Sequence, residues 1–283
     1  MVSCINVLHA QDKVTLFPDQ VPGENVQLVE KDDWDGPFVG GKPVLRKTNV
    51  SNPEITLYLV KEDGKNHPAV LVCPGGGYGI LAYDMEGTEV CEWLNSLGMS
   101  AILLKYRVPR REGRAKHEAP LQDVQRAISY VRYHADKLHI DAYKIGIMGF
   151  SAGAHLSVMA STSFDTCTYS PIDEIDSVSR RPDFCLLVYP AYLDGKNFSL
   201  SPEIKVTSQV PPTMMVQAEN DVRFINSSLF YYYALKQAKV PAWLHLYSSG
   251  EHGYGMRDTG HQVNEWPERA ADWFRELKLI PRL

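Results

Sequence analysis

The sequence predicts an α/β fold, a mostly parallel central sheet with helices on both faces. Three observations carry this. Strand-like and helix-like segments alternate through the second half of the chain, as parallel crossover units do. The segments Ala69–Cys73, Ala101–Tyr106 and Phe184–Tyr189 are apolar without alternation, the mark of strands buried on both faces. Finally, Gly149-Phe150-Ser151-Ala152-Gly153 lies between a short apolar run, Lys144–Met148, and a small-residue run, Ala154–Ala160. That is the strand–turn–helix setting of a nucleophile elbow, whose turn is too sharp for a Cβ at either flank.

Taken in order, the chain opens ambiguously. Residues 1–10 read either as the tail of a signal peptide cleaved after Ala10, or as a plain N-terminal extension, since the basic start and full apolar core of a signal are missing. The first reading implies export to the periplasm or medium, the second the cytoplasm. The stretch up to residue 50 is rich in Asp, Gly, Pro and Lys and predicts an irregular lead-in, with Val26–Val29 as an edge strand. Ile55–Val60 alternates as a half-exposed strand does. Ala69–Cys73 ends in Pro74-Gly75-Gly76-Gly77-Tyr78, and a helix over Glu86–Leu97 stops at Gly98. Ala101–Tyr106 is the next strand, and Arg107–Lys116 a basic loop, which most often means a solvated one.

A helix over Leu121–Leu138 then leads to the elbow strand and Ser151. Thr162–Arg181 is polar and loop-like, Phe184–Tyr189 a strand, and Pro190–Pro212 a connection too short for a large helical lid. Thr213–Ala218 is a strand ending in Glu219-Asn220-Asp221, and Asn226 or Ser227 can cap a helix running to Lys239. Trp243–Tyr247 is the last strand, followed by a Gly-rich loop carrying His252, and the final helix starts near Pro267. The whole chain, 1–283, reads as one domain, a length at which a single large α/β core is common.

Composition narrows the function classes. A net charge of −5 gives no reason to expect nucleic acid as a partner, and no apolar run is long enough to span a bilayer. Five cysteines, an odd number without CxxC spacing, predict neither a disulfide framework nor a zinc site. No Lys-Ser or Lys-Thr follows the glycines after Pro74, so a phosphate-binding Walker loop is excluded there. No cofactor is expected.

Right-handed crossovers place every post-strand loop on one edge of a parallel sheet. The Gly75 loop, Ser151, Asp221 and His252 all stand on such loops, in the order nucleophile, acid, base. A serine is a weak nucleophile without a base in hydrogen-bond reach. His252, in a loop with Gly250, Gly253 and Gly255, is the candidate base, whereas His155 and His245 lie within elements and read as packed or surface residues. Asp221 is the candidate acid that orients the imidazole, with Glu219 the alternative. Gly76, Gly77 and the Ala152 N–H are candidate oxyanion donors. Tyr78 and Tyr254 stand beside these loops and can offer flat faces to a sugar or aromatic group.

CPGGGY, LKYRVP, GFSAG, the QAEND turn and GEHGYG together resemble the α/β-hydrolase superfamily, from about Ile55 onward. Within it they resemble the bacterial carbohydrate-esterase branch, the acetylxylan- and feruloyl-esterase-like proteins. Pro74 stands where lipase-type relatives carry His, which weakens an analogy with large-capped lipases. Gln217-Ala218 stands where many relatives have His-Gly. The resemblance implies an α/β-hydrolase fold with a minimal cap, and serine-dependent hydrolysis of short acyl esters, acetyl or feruloyl, on carbohydrates without a metal. Two alternatives stand beside it: a serine peptidase on the same fold, and a hydrolase-shaped binding protein without activity.

Overall fold

The computed structural model describes residues 12–282, so the reading of residues 1–10 as signal or extension lies outside the described residues, as does Cys4. In chain order the elements are β1 (Lys13–Thr15), β2 (Lys31–Asp33), β3 (Phe38–Val39), β4 (Lys42–Pro43), β5 (Arg46–Thr48), β6 (Glu54–Tyr58), β7 (His67–Cys73), β8 (Leu81–Ala82), α1 (Glu89–Ser96), β9 (Ser100–Lys105), α2 (Glu118–Tyr133), β10 (Ile140–Phe150), α3 (Ala152–Thr162), β11 (Cys185–Val188), β12 (Thr213–Ala218), α4 (Ile225–Gln237), β13 (Ala242–Tyr247) and α5 (Trp266–Glu276). Eight strands form the main sheet in the order β1-β6-β9-β7-β10-β11-β12-β13. From β9 to β13 all neighbours pair in parallel, and β6 and β1 close one edge antiparallel.

The uniform apolarity of β7 follows from its place between β9 and β10. Ala69 to Cys73 are all buried, and each Val or Leu there contributes about 1.5–3 kcal/mol through its removal from water. β7 and β10 run side by side in register, Gly149 opposite Cys73. The two strands that end in the Gly-rich loop and in the elbow therefore stop at the same level, and their loops meet. Pro267 stands at the start of α5, where its missing N–H costs no helical bond.

Four expectations need correction. The lead-in is not simply irregular: β1 joins the main sheet, β2 and β5 form a small sheet with β8, and β3 pairs with β4 as a hairpin, while Val26–Val29 form no strand. The basic loop is solvated only in part: Arg110, Glu112, Gly113 and Ala115 are exposed, but three of its arginines are paired. Arg107 is buried on Asp123, Arg111 pairs with Glu24 and Arg114 with Glu118, so three of its charges anchor the lead-in and α2. The N-terminal boundary of α4 falls at Phe224 without a side-chain cap, because the Ser227 hydroxyl instead donates to Asp194. The helix expected over Glu86–Leu97 begins with a π-helical turn at Asp84–Thr88 before α1. Between β11 and β12 the chain forms no helix, only an isolated bridge of Asp194 with Leu200. No described helix is long and apolar enough to cross a membrane.

Candidate active site

Ser151 follows β10 directly and precedes α3, with φ 51° and ψ −116°. A non-glycine residue there is strained by about 1–3 kcal/mol and persists only where its surroundings enforce it. The flanking glycines are demanded by close approach: a Cβ on Gly149 would lie 2.2 Å from the Gly153 carbonyl oxygen, and one on Gly153 2.1 Å from that of Cys73. So the pentad is fixed by backbone packing of elbow, helix and β7 together. The turn also puts Ser151 at the positive end of the α3 dipole, a place that favours a negative charge.

Three residues from three post-strand loops meet here. His252 Nε2 lies 2.8 Å from Ser151 Oγ, and His252 Nδ1 lies 2.7 Å from Asp221 Oδ2. With its proton on Nδ1 the imidazole donates to Asp221 and accepts from the Ser151 hydroxyl. The Asp221 side chain is 3% exposed and that of His252 is 29% exposed, so the acid is shielded while the imidazole edge meets solvent. Glu219 is exposed, and no hydrogen bond joins it to His252 among the described residues. Gln217 Nε2 donates to Asp221 Oδ2 at 2.9 Å, and Ser228 Oγ donates to Gln217 Oε1 at 3.0 Å. The departure from His-Gly at Gln217-Ala218 thus supplies a second donor to the acid.

Ala152 follows the serine directly, and the Gly-rich loop approaches it at Gly75, where an added Cβ would lie 3.0 Å from that of Ser151; Gly76 and Gly77 are the next residues of that loop. Among the described residues the N–H groups of Gly76, Gly77 and Ala152 donate to no protein acceptor, while the Gly76 carbonyl is taken up by Gly79 and Ile80 N–H. Gly77 is exposed. Unspent backbone donors are what a developing oxyanion requires.

Tyr78 and Tyr254 are corrected. Both are buried, 1% and 2% exposed, and neither ring offers a face to a ligand. Tyr78 turns inward because its OH pairs with His155 Nδ1 at 2.8 Å, and Tyr254 packs edge-on against Tyr189 at 4.4 Å. His155, for which the sequence leaves packed and surface placements both open, is buried. Burial pushes its imidazole down to about 4, although Glu203 at 3.6 Å works in the opposite direction.

Several supporting residues escape sequence reasoning. The His252 ring is held between Phe224, at 4.8 Å between centroids, and Tyr189, at 5.0 Å. Glu86, buried in the π-helical turn, accepts from Gly75 N–H at 2.6 Å and from Tyr189 OH at 2.7 Å, and Tyr189 OH in turn accepts from Gly255 N–H at 2.9 Å. This carboxylate ties the Gly-rich loop to the histidine loop. Burial raises its proton affinity, and the two donors hold it back. Glu86→Gln should therefore destabilise the protein by about 1–3 kcal/mol, because in either amide orientation one buried donor loses its acceptor. Urea unfolding measures this, and an unchanged midpoint would show the strut to be dispensable.

Beside His252 opens a groove of about 430 Å³, with Phe38 and Gly41 of the β3–β4 hairpin on one wall and Glu251, Asp258 and His261 on the other. Arg257 fastens the hairpin. Its guanidinium donates to the Lys42 and Pro43 carbonyls and to Asp84 and Glu89.

Comparison with known proteins adds the following. The BD-FAE family model matches residues 55–184, a span that includes Gly76, Gly77, Ser151 and Ala152 but neither Asp221 nor His252. A protein named acetylxylan esterase from Xylanibacter ruminicola is 31% identical over 238 residues, 75% of this chain and 46% of its own length. Endo-1,4-beta-xylanase B from Butyrivibrio fibrisolvens is 30% identical over 223 residues, 71% of this chain and 34% of its own. The chain thus spans between about a third and a half of the length of these curated relatives. The crystal structure of an acetyl ester-xyloside bifunctional hydrolase from Caldicellulosiruptor lactoaceticus superposes with a TM-score of 0.76 at 31% identity, covering 98% of this chain and 100% of that one.

Proposed function

Because the chain belongs to the BD-FAE family of α/β-hydrolases, we propose that it is a serine carboxylesterase that removes short acyl groups, acetyl first among them, from a carbohydrate alcohol. The observation that carries this is the continuous line Asp221–His252–Ser151, with unspent N–H groups at Gly76, Gly77 and Ala152 in the adjoining loops. Ser151 Oγ attacks the ester carbonyl carbon while His252 Nε2 takes its proton. The tetrahedral oxyanion is held by the three N–H groups. On collapse the C–O bond to the alcohol breaks, and His252 returns the proton to the departing oxygen. Water then attacks the acyl-enzyme with His252 again as base, and the acid leaves as Ser151 regains its proton. No residue but the chain's own takes part.

The relatives named for acetyl esters support the acyl half of the reading. The polar groove beside His252 supports the alcohol half, since Glu251, Asp258 and His261 suit hydroxyl groups and the exposed Phe38 ring can stack on a sugar face. The connection from Pro190 to Pro212 lines an apolar cavity of about 590 Å³ with Phe198, Leu200 and Val206 against α4, but that lining includes none of Ser151, Asp221 and His252, so an extra acyl methylene gains its ~0.8 kcal/mol there only if the acyl chain reaches that far from the serine. Across p-nitrophenyl acetate, butyrate, octanoate and palmitate, kcat/KM is expected to be highest at acetate or butyrate. A maximum at octanoate or beyond would replace this reading with a lipase-like one. Hydrolysis of an aminoacyl p-nitroanilide in preference to the acetate would favour a peptidase. Failure of a serine-directed phosphonate to react would favour an inactive binding protein.

A further inference from the structure

We propose that His117, His155 and Glu203 form a binding site for one divalent transition-metal ion, with Zn²⁺ as its natural occupant, separate from the reacting groups. The three residues come from three segments that the fold brings together: His117 caps the start of α2, His155 lies in α3 one turn beyond Ser151, and Glu203 belongs to the connection between β11 and β12. One ligand atom from each lies within 4.8 Å of the others. Two imidazoles and one carboxylate are a recurrent zinc donor set, with a fourth position left for water.

The hydrogen bonding of the cluster points the same way. His155 is fully buried, yet its Nε2 has no hydrogen-bond partner. It faces Glu203 Oε1 at 3.6 Å, beyond hydrogen-bond range. His117 Nδ1 is buried and unpartnered as well. A single metal ion would satisfy a histidine nitrogen and the carboxylate together: zinc bonds of about 2.0–2.2 Å in tetrahedral array place neighbouring ligand atoms roughly 3.3–3.5 Å apart, close to the observed gap. The other nitrogen of His155 is already engaged as a zinc ligand's should be. Its Nδ1 lies 2.8 Å from Tyr78 OH, a contact that orients the ring and leaves Nε2 free to coordinate. Lys116 opposes the site: its charge acts on both imidazoles, and its ammonium sits 4.1 Å from the Tyr192 ring centre. The affinity should therefore be moderate.

Bound there, the ion would pin the β11–β12 connection to α2 and α3, and through Tyr78 it would brace the Gly-rich loop. The proposal runs against the expectation that the protein uses no metal, which rests on cysteine spacing and on the family resemblance; these three ligands carry no local spacing signature.

The test uses the full chain without a histidine tag, stripped with a chelator and titrated with ZnCl₂ by calorimetry and by competition against a chromogenic chelator. Expected are one Zn²⁺ per chain with a Kd of about 10 µM or tighter, and a rise in Tm on saturation. Glu203→Gln and His117→Gln, each checked for native circular dichroism, should both weaken binding at least tenfold and abolish the Tm rise. Zinc held at His252 would survive both substitutions. The proposal is overturned if the wild type binds no zinc, or if either folded variant binds it as tightly as the wild type.

Discussion

Ser151→Ala is expected to lower kcat for p-nitrophenyl acetate by about 10⁶ while leaving the fold intact. The loss is large because the hydroxyl is the group that makes and breaks the covalent bond; the free N–H groups and the groove can still bind the ester, which leaves a residual rate above that in water. The fold should tolerate the change because the hydroxyl hydrogen-bonds only His252 among the described residues, and that ring stays wedged by Phe224 and Tyr189. Alanine meets the same strained φ of 51° as serine, so stability should shift by no more than about 0.5 kcal/mol. The measurement is a burst-free steady-state assay alongside thermal unfolding. Activity above about a tenth of wild type would remove Ser151 from the reaction.

Asp221→Asn should cost on the order of 10³–10⁴ in kcat, and Glu219→Gln less than about threefold. Asparagine can face His252 in two ways. With its NH₂ toward Nδ1 it drives the imidazole proton to Nε2, and the base is lost. With its oxygen there it keeps the bonds from His252 and from Gln217, but the charge that steadies the imidazolium is gone. Both orientations are costly, and the first more so. Glu219 is exposed and serves as the internal control. A larger loss at Glu219 than at Asp221 would move the acid by one short turn.

What the sequence made legible were the positions that follow directly from strand order. Ser151, Asp221 and His252 each sit just past a parallel strand, so topology alone brings them to one edge, and the Gly-rich loop follows for the same reason. The groups that hold them were not legible, because their partners are remote in the chain. Glu86 meets Tyr189 across 103 positions and Arg257 meets Glu89 across 168, and no local pattern encodes such pairs. Tyr78 and Tyr254 were misplaced because a tyrosine in a loop says nothing of which way its ring turns; one buried histidine and one buried tyrosine settled it. The lead-in was underestimated because β1 is three residues long and pairs with a strand some forty positions on, too short a run to show alternation.

Arg257 has a consequence for how this protein can diversify. It stands five residues after His252 and clasps both carbonyls of β4, so the hairpin that walls the groove is moored to the same loop as the imidazole. The tip of that hairpin, Gly40 and Gly41, lines the groove together with His252, and Ser151 and Asp221 are not part of that lining. On the proposed function, mutational drift at the tip would therefore reshape which alcohol fits while the moored imidazole holds its aim. New leaving-group preferences are open to this scaffold by changing four or five residues near its beginning, and selection on the reacting groups need not be relaxed for it to happen.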